Sequence, residues 1–502
     1  MLTFEHQFAT LPEPLWVACQ PTPVAQPSLI AFNDALAAQL GMQTRPDDAT
    51  LAQWFSGNQL PPGAEPKALG YAGHQFGNFV PQLGDGRALL LGEVVDQQGI
   101  RRDVQLKGSG RTPFSRGGDG RSPLGPVLRE YLVSEFMAAV GVPTTRALAA
   151  VATGEPVVRQ MAEPGAVLTR VASSHIRVGT FQFAAVRRDE EALKALADHV
   201  IARHYPEAAN AEDPYLALLE AVTERQAVLV ARWMSLGFIH GVMNTDNCSI
   251  AGETIDYGPC AFMEQFDPEK VYSSIDQGRR YAFSNQPGIA QWNLARFAET
   301  LLPLMREEGD AVVEQATDII RGFTSRFSAE QRRLHANKLG LAPESDRAAP
   351  LMEALEIQMH QDRMDMTATF DALTRYAKLL DAKELGAKAL GADTPEQPQK
   401  EALLALTTQP NGLAAWLAEW ENAQQASQQS KRLEAMRRAN PVVIPRNHRI
   451  QEVIEAATEG NFAPFHTLLA AVTQPFDESE EARRLAAPAT ESEQVLRTFC
   501  GT

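Results

Sequence analysis

The sequence predicts an α+β fold in which a strand-rich first part precedes a helical second part. Two textures point to it. Short apolar runs flanked by glycine and charge, such as "RALLLGEVVD" at 87–96 and "RRDVQLKG" at 101–108, read as strands. From about residue 190 onward, three-to-four spacing of apolar residues takes over and holds almost to the end. The two textures do not alternate, which excludes a regular series of βαβ units. A chain of 502 residues exceeds one ordinary core, so two or three sub-structures are expected.

Residues 1–66 are Pro-rich and mixed, an N-terminal extension with a helix expected at Ser28–Leu40. "GDGR" at 84–87 is a turn signal before the first strand. "GSGRTPFSRGGDGRSPLG" at 108–125 is glycine-rich with no hydrophobic period, a loop of a length often tied to function. Val127, Leu128, Tyr131, Leu132, Phe136 and Val140 then mark a helix over 126–140, with Pro126 in its first turn and Gly141 at its end. "ALAAVAT" (147–153) and "GAVLTRV" (165–171) read as strands, closing a strand-rich unit at 67–190. "EALKALADHVIARHY" and "YLALLEAVTERQAVLVARWMSLG" are amphipathic helices of a second unit, 191–300. "CSIAGETIDYG" (248–258) reads as two short strands around a Gly turn. The last unit, 301–502, is helical, with a Pro/Gln-rich break at 393–400.

Hydrophobic content of 44% and charged content of 22% are those of a soluble globular protein. A net charge of −16 excludes general affinity for nucleic acid or anionic membrane. Lys67–Arg129 departs from that balance, with nine Lys/Arg against five Asp/Glu, a basic island that suits a polyphosphate ligand. No apolar run reaches the roughly 18 residues of a membrane span, and Arg232 and His240 interrupt the longest candidate, Ala227–Met243. The N-terminus lacks the basic and apolar regions of a signal peptide. Cys19, Cys248, Cys260 and Cys500 are scattered and form no disulfide or zinc framework, so a reducing cytoplasm is the simplest compartment. Cys500, two residues from the end, is a candidate reactive thiol.

A kinase-type nucleotide site needs a turn close to phosphate, a strand lysine, a helix glutamate to hold it, and Asn and Asp for metal ions. Candidates occur in that order: Gly84-Asp85-Gly86-Arg87, Lys107, Glu130 or Glu135, then Asn247 and Asp256. Each alone is an ordinary surface feature, and the order carries the argument. Glu130 lies outside the apolar stripe of its helix and Glu135 within it. From His240 to Asn247 the step is seven residues, as in the kinase pattern H-R-D-x-x-x-x-N, but Val242 stands where the catalytic aspartate belongs. Asp246 could act as base in its place. Asp256-Tyr257-Gly258 occupies the position of D-F-G, and Asn247 and Asp256 offer hard oxygens suited to Mg²⁺. Arg87, Arg111, Arg116, Arg121, Arg170 and Arg177 sit in or near loop-like segments, where guanidinium groups can meet phosphate.

"YAGHQFGNFVPQLGDGRALLLGEV", "LKGSGRTPFSRGGDGR", "LREYLVSEFMAAVGVPTTRAL", "LTRVASSHIRVGTF", "HGVMNTDNCSI…DYGP" and "FSNQPGIAQWNL" together resemble the SelO (YdiU, UPF0061) family. The resemblance runs from about residue 2 to the C-terminus. It implies a bilobal protein-kinase-like fold: an N-lobe at 67–190, a C-lobe at 191–300 and an added helical region at 301–502. It also implies a pseudokinase that binds ATP inverted and transfers AMP to Ser, Thr or Tyr of target proteins. By resemblance, Gly84, Gly86, Arg87, Asp119 and Gly120 hold nucleotide. Lys107, positioned by Glu130, meets phosphate, as do Arg170 and Arg177. Asp246 is the base, and Asn247 and Asp256 hold Mg²⁺, with Asp256 also at the nucleotide. UMP transfer with Mn²⁺ and a noncatalytic nucleotide-binding scaffold are the alternatives. Many members pair a C-terminal cysteine with one after D-x-G as a redox latch. Cys500 matches the first, whereas Tyr272 and Ser273 stand where the second would be.

Overall fold

The computed structural model describes residues 2–307, 309–384, 396–424 and 429–499. Its centre is an antiparallel sheet with the strand order Trp16–Ala18, Lys67–Leu69, Ala88–Val95, Arg101–Lys107, Ala162–Ala172, Arg146–Val158 and Ser28–Phe32. Two short strands, Phe4–Glu5 and Ser122–Pro123, pair with Ala88–Val95 and Ala162–Ala172. Lys107 ends a central strand, opposite Ala88 on one side and Leu168 on the other. Strand alternation gives the sheet two apolar faces. Val104, Leu106 and Val167 pack with Leu51 and Phe55 of helix Asp48–Ser56. Leu168 and Ala166 join the larger core with Leu128, Leu132 and Phe136 of helix Leu124–Ala139.

Ser28–Leu40 is not one helix. Ser28–Phe32 is an edge strand paired with Arg146–Val158, and a helix follows at Asp34–Gln39. Leu29–Phe32 gain a sheet partner that outweighs local propensity. Asn33 then starts the helix by accepting the Leu36 N–H at 3.0 Å. "CSIAGETIDYG" likewise does not form a pair of strands. Ser249 and Thr254 make isolated bridges to Arg177 and Thr144, so this segment threads between other elements instead of folding on itself.

The helical part builds on Pro214–Ser235, Gln286–Leu301 and Asp310–Leu339. Two of its later helices, Asn447–Thr458 and Ala463–Val472, return to pack on Leu124–Ala139. Phe465 meets Tyr131 edge-on at 5.7 Å. Buried Arg129 donates to Asn447 Oδ1 at 3.2 Å and to the Cys260 carbonyl at 3.4 Å. The helix that carries Glu130 is thus braced against residues more than 300 positions later. Near the C-terminus, Thr498 pairs with the Tyr272–Ser274 backbone. Cys19 and Cys248 are free thiols, the Cys260 thiol meets the Tyr257 carbonyl at 3.6 Å, and Cys500 lies outside the described residues. Among the described residues no helix is long and apolar enough to cross a membrane.

Candidate active site

The sheet ends, the glycine-rich loop and the segment after His240 enclose a cleft of about 570 Å³, a volume suited to a small ligand. Gly84, Gly86, Arg87, Lys107, Asp119, Gly120, Arg170, Arg177 and Asp256 all line it, as do Arg111, Arg116, Arg121 and Arg159. Five of the nine basic residues of the island, Arg87, Lys107, Arg111, Arg116 and Arg121, thus gather at one cavity, whereas Lys67, Arg101, Arg102 and Arg129 pair elsewhere. The loop over it is braced: Arg159 pairs with Asp119 at 2.8 Å, and Thr112 donates to the Asp85 carbonyl at 2.6 Å. Gly84 has φ 71°, and the Phe114 ring lies where a Cβ would project, so the turn needs glycine on both counts.

At the deep end, four charges form a closed network. Lys107 Nζ is 2.7 Å from Glu130 Oε2 and 2.6 Å from Asp256 Oδ1. Arg170 Nη2 is 2.8 Å from the same Asp256 oxygen, and Arg170 Nε donates to Glu130. Two cations face two carboxylates, so burial leaves no net charge unpaired. Burial pushes the Glu130 carboxyl up, but Arg170 and then Lys107 outweigh it and hold it below the usual range. Burial likewise opposes ionisation of Asp256, but Lys107 and Arg170 hold that carboxyl well below its ordinary value. Asp256 also adopts φ 69°, a left-handed conformation that Asp tolerates better than most residues. Glu135 lies elsewhere. It accepts from Arg146 Nε at 2.9 Å, from the Ala147 N–H at 2.9 Å and from Asn33 at 2.8 Å, anchoring the helix to strand Arg146–Val158 and to the start of helix Asp34–Gln39.

His240 holds the next segment in shape. Its Nε2 lies 3.0 Å from the Ile255 carbonyl, and burial keeps its pKa below the ordinary value, so it is a neutral structural group. Val242 is 4% exposed and offers no acid. Its carbonyl accepts from Asn247 Nδ2 at 2.9 Å, which commits the amide nitrogen and leaves Oδ1 as the available donor atom toward a cation. Among the described residues there is no cluster of three or more His, Cys, Asp or Glu placed for a metal. Asn247 and ionised Asp256 instead fit a hard cation that takes its remaining oxygens from phosphate and water.

Asp246 is buried behind Arg177, which donates Nη1 to its backbone carbonyl at 2.9 Å. Arg177 also stacks on Tyr71 at 4.3 Å and approaches Asp85 at 3.7 Å. A hairpin that sequence reading assigned no chemistry closes the other side. Gly73–Gln75 and Asn78–Val80 pair around Phe76-Gly77. Gln75 Nε2 donates to Asp246 Oδ2 at 3.2 Å, the His74 N–H to Thr245 Oγ1 at 2.7 Å and the Phe76 N–H to Asn244 Oδ1 at 3.1 Å. Gly73 lies so close to the carboxylate that a Cβ would strike Asp246 Oδ1. That oxygen is buried without a hydrogen-bond partner. Burial raises the carboxyl pKa to about 6, against the pull of Gln75 and then Arg177. A carboxylate of this kind, rigidly held with one oxygen free, is equipped to accept a proton. Gln75 and Gly73 had one available signal, their place in the ungapped string "YAGHQFGNFVPQ".

The chain matches, over residues 1–473, the family model described as "Protein adenylyltransferase SelO". It is 56% identical over 503 residues to a protein named "Protein nucleotidyltransferase YdiU" from Rhodopseudomonas palustris (strain BisB5), covering 99% of each chain. A protein of the same name from Agrobacterium fabrum (strain C58 / ATCC 33970) is 51% identical over 506 residues, covering 100% of both. One from Rhizobium johnstonii is 51% identical over 502 residues, covering 99% of this chain and 97% of the relative.

Proposed function

The chain belongs to the SelO family and is a protein nucleotidyltransferase, and from that premise we propose that it transfers AMP from ATP to Ser, Thr or Tyr hydroxyls of target proteins. The observation that carries this reading is the exchange of acids in the loop after His240. Apolar, buried Val242 stands at the place of the kinase base, whereas Asp246, held behind Arg177, keeps one buried carboxylate oxygen without a hydrogen-bond partner. The strand-rich and helical parts are read as the two lobes of a kinase-like fold, with the cleft between them.

ATP lies inverted in this reading, its α-phosphate toward Asp246. Gly84, Gly86 and Gly120 let the backbone approach the nucleotide. Arg87, Lys107, Arg170 and Arg177 neutralise the phosphates, and Asp119 keeps the glycine-rich loop in place through Arg159. Glu130 holds Lys107 and Arg170 at the spacing that phosphate oxygens require. Asn247 and Asp256 would hold Mg²⁺, which supplies charge neutralisation at the phosphates when bound. Asp246 takes the proton of the acceptor hydroxyl. The hydroxyl oxygen then bonds to the α-phosphorus, and the bond to the bridging oxygen breaks. Products are AMP-protein and diphosphate. The guanidinium groups stabilise charge on the leaving diphosphate.

The test is incubation with a protein extract and ATP labelled on either the α- or the γ-phosphate. Label in protein from the α form alone is the expected result. Label from the γ form alone would establish a kinase, and ATP binding with no label from either form would establish a noncatalytic scaffold. The same assay with α-labelled UTP and Mn²⁺ separates AMP from UMP transfer.

A further inference from the structure

An acceptor hydroxyl that gives its proton to Asp246 comes to lie near the 73–80 hairpin, whose Gln75 donates to that carboxylate. Residues 280–292 pack against the same hairpin, and the nucleotide site leaves the motifs of both stretches unused. Tyr281 donates to Asn244 Oδ1 at 2.6 Å, the same oxygen that takes the Phe76 N–H, and its ring meets Phe76 at 5.1 Å. Trp292 stands beside His74, with ring centroids 5.2 Å apart.

Between these rings sits Arg280. Its guanidinium lies 4.8 Å from the Trp292 ring and 5.8 Å from Tyr281, and a Cβ on Gly77 at the hairpin tip would lie 3.7 Å from it. Arg280 is therefore held at the turn of the hairpin whose Gln75 touches Asp246. Its neighbour Arg296 also stacks on Trp292, at 5.1 Å, but pairs with Glu299 at 2.6 Å. Among the described residues no carboxylate pairs with the Arg280 side chain; it meets the Tyr281 hydroxyl, and its Nε is buried without a partner. Its positive charge and that of Arg296 both act on His74. A planar cation fixed by aromatic faces, with its fork unneutralised, is set up to receive a carboxylate. In a protein of net charge −16, such a group at the rim of the site is a local reversal of sign.

We propose that Arg280, clamped by Trp292 and Tyr281 at the tip of the hairpin, recognises an Asp or Glu side chain close in sequence to the hydroxyl that is modified, so that the acceptor is a locally acidic protein segment. The inference rests on the reading that Asp246 faces the acceptor.

Matched peptides test it. Each carries the same Ser, Thr and Tyr, flanked by Glu, Gln or Lys, and is offered to the full chain with ATP and Mg²⁺. The wild type is expected to modify the Glu peptide about tenfold faster than the Gln peptide at limiting peptide concentration. Arg280→Gln should bring that ratio close to one through KM, and Arg280→Glu should favour the Lys peptide. ATP affinity should not move in either variant. Equal wild-type rates on the Glu and Gln peptides would overturn the proposal. So would an Arg280→Gln variant that keeps the preference, or one that loses all peptides alike, since the last is a structural effect. If wild type binds ATP but modifies no peptide, the transferase reading fails, and fluorescence anisotropy with the same peptides decides this inference separately. Binding of the Glu peptide that depends on Arg280 supports it, and its absence sinks it.

Discussion

Asp256→Ala is expected to lower nucleotide transfer at least about a thousandfold. Three effects coincide at this residue. Its carboxylate is the shared partner of Lys107 and Arg170, so its loss leaves two buried cations facing Glu130 alone. It is one of only two proposed protein ligands for the metal, which makes the site unusually dependent on it. It also lies on a loop at φ 69°, where alanine is strained by about 1 kcal/mol. Asp256→Asn separates chemistry from strain, because asparagine tolerates this conformation and keeps the shape. Both variants should lose the Mg²⁺-dependent part of ATP affinity in titration calorimetry while the Asn variant melts near the wild type. An Asn variant that transfers at the wild-type rate would remove Asp256 from the site.

Asp246→Asn is expected to reduce kcat by about a hundred- to a thousandfold with ATP affinity nearly unchanged, the usual contribution of a positioned base. The group works only when ionised, and burial raises its pKa from the ordinary 3.8 to about 6. Below about pH 6 the carboxyl is protonated, so wild-type kcat/KM should fall about tenfold per unit of acidification and level off above that pH. The Asn variant should lose this acidic limb. A variant that weakens ATP binding as much as it slows transfer, or keeps the limb, would place the base elsewhere.

The order of turn, lysine, glutamate, asparagine and aspartate was legible because each stands beside a local signal: glycine turns, strand ends and an amphipathic helix. Which glutamate serves Lys107 was less so. Both Glu130 and Glu135 are buried on the same helix; the apolar stripe favours Glu130, and the contacts separate them, Glu130 meeting Lys107 and Glu135 meeting Arg146 and Ala147 of one strand. Ser28–Phe32 was misread because an apolar run with no strict alternation fits either period, and its partner strand lies more than 100 residues away. Gln75 stands in a quoted motif string, but its partner was hidden for the same reason. It meets Asp246 across 171 residues, and nothing local marks a glutamine as the neighbour of a carboxylate. The bracing of Arg129 by Asn447 spans 318 residues and ties the otherwise unassigned C-terminal helices to the helix that positions Lys107. The tail meets Tyr272–Ser274 through Thr498, beside the position where the family's latch would join, and that position holds no cysteine here.

The central claim is that Asp246 faces the α-phosphate and not the γ-phosphate. A crystal structure of the full chain with a non-hydrolysable ATP analogue and Mg²⁺ tests it directly. The account predicts the α-phosphorus as the phosphorus nearest to Asp246, with the β- and γ-phosphates turned toward the arginines of the glycine-rich loop. A γ-phosphate nearest to Asp246, with the adenosine end turned away, would contradict it.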